Sequence, residues 1–237
     1  LKALPSSTLT GSLSSAKVAL VVLPGASDDD VTAIRSTLTD AGASVIGRVT
    51  LTDNWQSTSM SQYRTTLSTT LASHLASGAA KTASADAVVG YSIVQVLTTT
   101  GAETDLLRQI LTDESTPIMT VDEDANGGAT AIVAVGPRAQ ATAASNATPA
   151  AVTSNPDAWV GLGQALGSTN GVLVGDASSR DAMITQVRAS GVSVTTVDSV
   201  GTTLAAVNTA LALSTPATGA RAFGVGNGAQ SVIPSNK

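Results

Sequence analysis

A short, wholly apolar run near the start of the chain does most to constrain the fold. Residues 18–23 read Val-Ala-Leu-Val-Val-Leu without a polar position, which is typical of a strand covered on both faces of a sheet. A Pro-Gly pair ends the run, and apolar residues at helical spacing over 28–41 follow an acidic first turn. A second apolar run at 45–51 predicts the next strand. Residues 17–51 therefore indicate a βαβ unit.

The C-terminal part of the chain repeats this alternation. It predicts strands at 171–175, 192–197 and 223–225, and helices at 182–191 and 200–213. The middle of the chain predicts helices at 57–75, 85–98, 104–111 and 157–166, and strands at 118–121 and 129–135. Such alternation favours an α/β, Rossmann-like fold: a mainly parallel sheet with helices on both faces.

Composition divides the chain into a linker and an α/β region. Residues 1–16 are polar and Ser-rich, which predicts a linker that follows an N-terminal anchor or coiled coil. Residues 17–237 are predicted to form a single α/β domain. The alternative is two halves, 17–138 and 157–237, because residues 139–156 are rich in Ala, Thr, Ser and Asn and favour a loop.

Charge and residue usage exclude several classes of function. The net charge is −5 and the 12 basic residues are scattered, so no nucleic-acid partner is expected. The chain contains no cysteine, which excludes disulfides, thiolate metal centres and thiol catalysis. Only 12% of residues are charged, and the abundant Ser and Thr suit an exported protein.

The sequence carries no motif for a cofactor or for catalysis. The first strand-to-helix turn, residues 23–30, lacks the spaced glycines of a dinucleotide fingerprint, and its three carboxylates would repel a pyrophosphate. The Gly-x-Gly runs at 161–163 and 224–228 indicate turns and close packing instead. A single histidine and the absence of a Gly-x-Ser-x-Gly elbow argue against a hydrolase. We expect no enzymatic activity and no cofactor.

The donors that a metal site needs are dispersed. The soft donors fall mostly at apolar positions of predicted helices and strands: Met60, Met119, Met183 and His74. The acidic pairs at 28/30 and 122/124 are typical of helix caps and turns rather than of a site for a hard cation. No metal site is predicted.

One short segment is a candidate surface for a partner or a ligand. Asp53, Asn54 and Trp55 directly follow the second predicted strand, at the carboxyl edge where α/β folds bind ligands. Two interpretations stay open for Trp55. Its ring either anchors a partner or covers the core as a lid.

Several phrases resemble a known family. They are Val-Val-Leu-Pro-Gly-Ala at 21–26 with its acidic cap, Gly-Arg-Val-Thr-Leu-Thr-Asp at 47–53 and Gly-Val-Gly-Asn-Gly-Ala-Gln at 224–230. Together with the central helices they resemble the actinobacterial MctB family, named for mycobacterial copper transport protein B, to which SteB-type cell-separation proteins also belong. The resemblance implies an extracytoplasmic domain, anchored to a membrane through an N-terminal segment. It implies either copper transport or tolerance, or a part in controlling cell-wall hydrolysis during cell separation.

The dispersed soft donors favour one of these roles. We expect a non-enzymatic protein-interaction module or regulator of the cell envelope, homodimeric, with a membrane-anchored or envelope protein as partner. Membrane contact is expected only through the N-terminal segment. Copper transport or tolerance across the envelope is the alternative.

Overall fold

The computed structural model describes residues 9–139, 155–216 and 219–234. Helices and strands alternate along most of this length, and a short 3-10 turn (Thr58–Met60) precedes α3. The elements, in chain order, are β1 (Lys17–Val22), α1 (Asp28–Asp40), β2 (Ser44–Leu51), α2 (Asp53–Gln56), α3 (Ser61–His74), α4 (Gly78–Lys81), α5 (Ala85–Thr98), α6 (Ala102–Leu111), β3 (Met119–Glu123), β4 (Ala131–Val135), α7 (Pro156–Gly167), β5 (Gly171–Val174), α8 (Met183–Ala189), β6 (Thr195–Val197), α9 (Thr203–Ser214) and β7 (Arg221–Phe223).

The strands form one seven-stranded sheet in the order β3-β2-β1-β4-β5-β6-β7. All neighbours pair in parallel except β2 and β3. The direction of strand addition reverses between β1 and β4, and this reversal defines the topological switch point of the sheet. The predicted α/β, Rossmann-like class with a mainly parallel sheet is confirmed.

The antiparallel direction of β3 follows from where the chain returns to the sheet. The chain leaves β2 at Leu51 and re-enters at Met119, which is the register partner of Leu51. The amide of Thr52 donates to the carbonyl of Ile118 at 2.9 Å, which closes this junction. Because α2 to α6 begin and end at the same edge of the sheet, β3 must run back along β2.

Strand β1 lies in the interior of the sheet, between β2 and β4, and is buried on both faces. Alternate side chains enter two separate cores, as the pleat of a strand requires. Val18, Leu20 and Val22 contact the core under α1 and α9. Ala19 and Val21 contact the larger core under the helices of the other face.

Helices α5 and α7 cross at two glycines on that second face. A Cβ atom placed on Gly90 would lie 2.8 Å from the carbonyl oxygen of Gly161. A Cβ on Gly161 would lie 2.5 Å from the carbonyl carbon of Asp86. The Gly-x-Gly run at 161–163 is therefore a packing feature, since backbone meets backbone at this crossing.

Several boundaries differ from the sequence predictions for local reasons. The helix predicted from residue 57 begins at Ser61, because a 3-10 turn occupies Thr58–Met60. Strand β6 is confined to Thr195–Val197 rather than 192–197. Strand β7 ends at Phe223, so the prediction of 223–225 is wrong at its last two residues. Gly224 leaves the strand with φ 129°.

The predicted linker also differs in part from what its composition suggested. Within residues 9–16, Leu13 is buried and its amide donates to the carbonyl of Ala41 at 2.9 Å. This segment is therefore packed on the end of α1. The predicted loop at 139–156 lies mostly outside the described residues. Strands from both of the alternative halves belong to the same sheet, since β4 pairs with β5.

Both outer strands of the sheet carry features that oppose strand addition. On β3, Glu123 pairs with Arg35 through two hydrogen bonds of 2.5 and 2.8 Å, and Asp122 accepts from Thr50 at 2.6 Å. On β7, the amides of Gln230 and Ser231 donate to the carbonyl of Ala222 at 2.8 and 3.3 Å. Charge covers one edge and the chain's own backbone covers part of the other.

Adding one methyl group at the helix crossing tests its tightness. We expect Gly161→Ala to lower the free energy of unfolding by about 1–3 kcal/mol. The added methyl group would meet backbone atoms of α5, which cannot move aside as a flexible side chain could. Gly78→Ala is the matched control, since a Cβ there meets nothing within 4 Å. Urea denaturation of both variants measures the difference. Equal midpoints for the two variants would contradict the close approach.

Candidate functional site

A crevice of about 640 Å³ opens at the carboxyl edge of β4 to β7. Its volume is that of a small-ligand site, and its place is the edge where α/β sheets bind ligands. The lining comes from the segments that follow four parallel strands. The lining residues are Arg138, Ala139, Asp176, Ala177, Ser178, Asp198, Ser199, Val200, Val225, Gly226 and Asn227.

A buried ion pair forms the floor of the crevice. Arg188 of α8 donates from Nη1 to Oδ2 of Asp198 at 2.9 Å, and the two side chains are 8% and 0% exposed. The same guanidinium donates to the hydroxyl of Thr196 at 2.9 Å and to the carbonyls of Phe223 and Asn227 at 3.1 and 2.8 Å. Arg188 therefore joins α8, β6, β7 and the loop that follows β7.

The carboxylate of Asp198 accepts three further hydrogen bonds. The Ser199 hydroxyl donates at 2.6 Å, and the amides of Val225 and Gly226 donate at 2.9 and 3.0 Å. Burial alone would raise the pKa of Asp198, but these donors together with Arg188 outweigh it and lower the pKa below the ordinary aspartate range. The group is an anion held by fixed donors.

The position of the Asp198 carboxylate also explains why the segment after β7 begins with glycine. Gly224 has φ 129°, and a Cβ on it would overlap the Asp198 carboxylate. Only a residue without a side chain brings the next two amides onto Asp198. Val225 then projects outward and is 68% exposed.

A second backbone feature lies on the opposite side of the carboxylate. Ser199 has φ 64°, in the left-handed region that residues other than glycine seldom occupy. The hydrogen bond from its hydroxyl to Oδ1 of Asp198 holds it there. Asp198 therefore fixes the backbone on both sides of the crevice floor.

Arg138 lines the crevice on the side nearer the switch point between β1 and β4. It follows β4 and donates from Nε and Nη2 to the two carboxylate oxygens of Asp30, both at 2.7 Å. Asp30 lies in the first turn of α1 and is 3% exposed. The place where a dinucleotide-binding fold holds pyrophosphate, the first turn after β1, thus contains a carboxylate with its own arginine.

The sequence of the chain also matches the model of a known protein family. A model described as "Copper transport outer membrane protein, MctB" covers residues 1–234. The chain belongs to the MctB family. No curated protein matches the chain significantly. The resemblance to this family, drawn from residues 21–26, 47–53 and 224–230, is confirmed. The description of the family names copper transport and the outer membrane.

The predicted surface residues of this MctB-family chain lie away from the crevice. They follow β2, on the other side of β1 from β4 to β7. Asp53 is exposed, Asn54 donates to the carbonyl of Pro117 at 3.0 Å and Trp55 is fully buried. Of the two interpretations of Trp55, burial supports the lid over the core, since the ring has no surface to offer a partner.

The segment around Asn54 also holds a buried arginine. Arg64 of α3 is fully buried and donates from Nη1 to the carbonyls of Asn54 and Ser57 at 3.0 and 2.8 Å. Its Nε donates to Asp86 at 2.6 Å. The turn that carries Asn54 is therefore tied to α3 and to the start of α5, which gives it a structural task.

The crevice residues that the sequence reasoning missed share a detectable signal. Asp176 and Asp198 each stand one or two residues after a buried parallel strand, at equivalent places behind β5 and β6. Carboxyl ends of neighbouring parallel strands meet at one edge, so the repeated strand-then-aspartate pattern points to this crevice.

Soft donors are dispersed in the MctB domain. Met119 and Met183 are 0% and 4% exposed and belong to the core, while the His74 ring contacts Glu103 at 2.5 Å. Both acidic pairs face arginines: Arg48 lies 3.0 Å from Asp28 and 3.3 Å from Asp122, Arg138 binds Asp30 and Arg108 binds Asp124. Among residues 9–139, 155–216 and 219–234, no group of three or more His, Cys, Asp or Glu could hold a metal ion.

A helix needs about 20 consecutive, predominantly apolar residues to span a bilayer. In the part of the chain that the structure describes, no helix is both long enough and apolar enough to cross a membrane.

Removing the charge of Asp198 tests the buried pair. We expect Asp198→Asn to lower the free energy of unfolding by about 3 kcal/mol or more at neutral pH, because Arg188 is left buried without a counterion. Asp40→Asn, at the exposed end of α1, is the matched control and should change little. Urea denaturation at several pH values is the measurement.

The pH dependence of that difference has a definite sign. The pKa of Asp198 is lower in the folded than in the unfolded chain, so its stabilisation is complete above the unfolded value and is lost as pH falls through the folded value. The gap between wild type and Asp198→Asn should therefore stay constant near neutrality and narrow in acid. A gap that widens in acid would contradict the assignment.

Proposed function

We propose that this chain is a non-enzymatic protein-interaction module of the cell envelope and that it binds its partner at the crevice behind β4 to β7. The observation that carries the proposal is the fixed loop 224–227. Two backbone amides of this loop donate hydrogen bonds to Asp198, and one of its carbonyls accepts a hydrogen bond from Arg188, the buried partner of Asp198. The only large apolar side chain of the loop, Val225, faces solvent.

Energetics support this interpretation of the loop. A surface valine that stays exposed forgoes the stabilisation that its burial would bring, about 1.5 kcal/mol or more. Holding it on a rigid backbone lowers the entropy that a partner must remove on binding. A preorganised apolar side chain beside a polar crevice has the anatomy of a small interface, with an apolar contact and polar groups around it.

Family membership supports the envelope setting of the proposal. The family description names the outer membrane, and the low charge and hydroxyl-rich composition suit an exported domain. We extend the proposal to an extracytoplasmic, membrane-anchored protein that acts as a homodimer in the control of cell-wall hydrolysis during cell separation.

Copper transport or tolerance is the second candidate, favoured by the family description. His74 and Met60 are the soft donors of the described residues that reach solvent, since Met119 and Met183 are buried. Calorimetric titration with Cu(I) and with Cu(II) tests this candidate. Stoichiometric, sub-micromolar binding that His74→Ala or Met60→Leu abolishes would establish it and count against the interaction module.

Site-specific crosslinking in cells tests the interaction module. A photo-crosslinking amino acid placed at Val225 should form an adduct with one protein, whereas the same residue at Leu106 should not. Leu106 is the matched control because it is also an exposed apolar residue, 40% accessible, and lies on α6 away from the crevice.

The captured protein must then bind the purified domain through the same surface. We expect Val225→Asn to weaken this binding at least tenfold, since a polar amide replaces the apolar contact at the centre of the interface, while Leu106→Asn leaves it unchanged. Equal crosslinking at both positions, or binding that Val225→Asn leaves unchanged, would refute the proposed surface.

A further inference from the structure

The charges that line the crevice do not cancel. Arg138 is paired with Asp30, and Asp198 is paired with Arg188. Asp176 is the remaining charged group of the lining, and no lysine, arginine or histidine of the described residues lies within 4.0 Å of its carboxylate. The unbalanced charge of the crevice is therefore a single negative one, placed where the volume is open.

The carboxylate of Asp176 is held in position but only half used. Its Oδ1 accepts the amide of Ser178 at 2.9 Å and its Oδ2 accepts the hydroxyl of the same residue at 3.0 Å. A carboxylate offers about four acceptor positions, so each oxygen keeps one for a ligand. The turn around Ser178 fixes the direction in which these positions point.

We propose that the crevice receives a lysine side chain of the partner protein, with the ammonium on Asp176 and the aliphatic stem against Val225. This inference rests on the proposed interaction function and adds the chemistry of the partner. The two crevice features match the two ends of such a side chain: a fixed anion with free acceptor positions and an exposed apolar residue at the same opening. A lysine buries its stem along apolar surface while its head keeps polar contacts.

The hydrogen-bond geometry favours lysine over arginine. A guanidinium binds best when both oxygens of a carboxylate face it and accept its parallel N–H groups. Here Ser178 already occupies one side of both oxygens. An ammonium is a compact charge with three donors that rotate freely, so it fits the single positions that remain.

Matched small probes test the proposal directly. The probe is N-acetyl-lysine methylamide, titrated into the isotope-labelled domain and followed by the amide signals of residues 176–178 and 225–227. N-acetyl-norleucine methylamide has the stem without the ammonium, and N-acetyl-glutamate methylamide reverses the charge. We expect the lysine probe to shift these signals, the other two to bind at least about tenfold more weakly, and added salt to weaken the lysine probe.

Two variants of the domain assign the effect to its residues. Asp176→Asn should weaken the lysine probe about tenfold or more, the loss expected for one charge-assisted hydrogen bond, and its amide oxygen still accepts from Ser178 so that the turn is kept. Asp181→Asn is the matched control, an exposed aspartate of the same segment that does not line the crevice. Unchanged urea midpoints show that both variants are folded.

These results separate the lysine assignment from the proposed interaction function. Equal binding of the lysine and norleucine probes, equal effects of the two aspartate variants, or no shift at the crevice would overturn the lysine assignment. The interaction function would still stand if crosslinking at Val225 captured a partner whose binding Val225→Asn weakens. The converse pattern, a lysine-binding crevice without such a partner, would refute the interaction function alone.

Discussion

Burial of β1 on both faces is the constraint on which the rest of the structure depends. A strand of this kind requires a helical layer on each side and parallel neighbours at both edges, and β2 and β4 supply those neighbours. Placing them there creates the switch point, and it sends β5 to β7 outward in one direction. The carboxyl ends of β4 to β7 then converge on one edge, which is where the crevice forms.

The sequence alone predicted those strands and helices whose hydrophobic pattern lies within the element itself. Residues 18–23 predicted the interior strand β1, and 85–98 predicted α5 with the bounds that the structure shows. The antiparallel β3 was not predictable, because it depends on where five helices return the chain. Arg64 was missed because a charged residue in an amphipathic helix normally faces solvent, and only tertiary contacts with Asp86 and two carbonyls make its burial favourable.

The candidate site shows the same division between local pattern and tertiary contact. Trp55 drew attention because an aromatic after a strand is conspicuous, yet it belongs to the core. The residues to which we assign the proposed binding, Asp176 and Val225, are common residue types. Within the part of the chain that the structure describes, Asp176 has no cationic side chain within 4.0 Å and Val225 is 68% exposed. The glycines at 224–228, which the sequence predicts to serve turns and close packing, let the backbone reach Asp198.

The two outer strands of the sheet restrict how copies of this domain can associate. Glu123 and Asp122 place carboxylates that are paired with Arg35 and Arg48 along β3, and the backbone of residues 230–231 already donates to a carbonyl of β7. Continuing the sheet into a neighbouring molecule is thus disfavoured at either end. We therefore expect a self-assembled complex of this domain to meet through helix surfaces or loops, which leaves the sheet an internal scaffold of each copy.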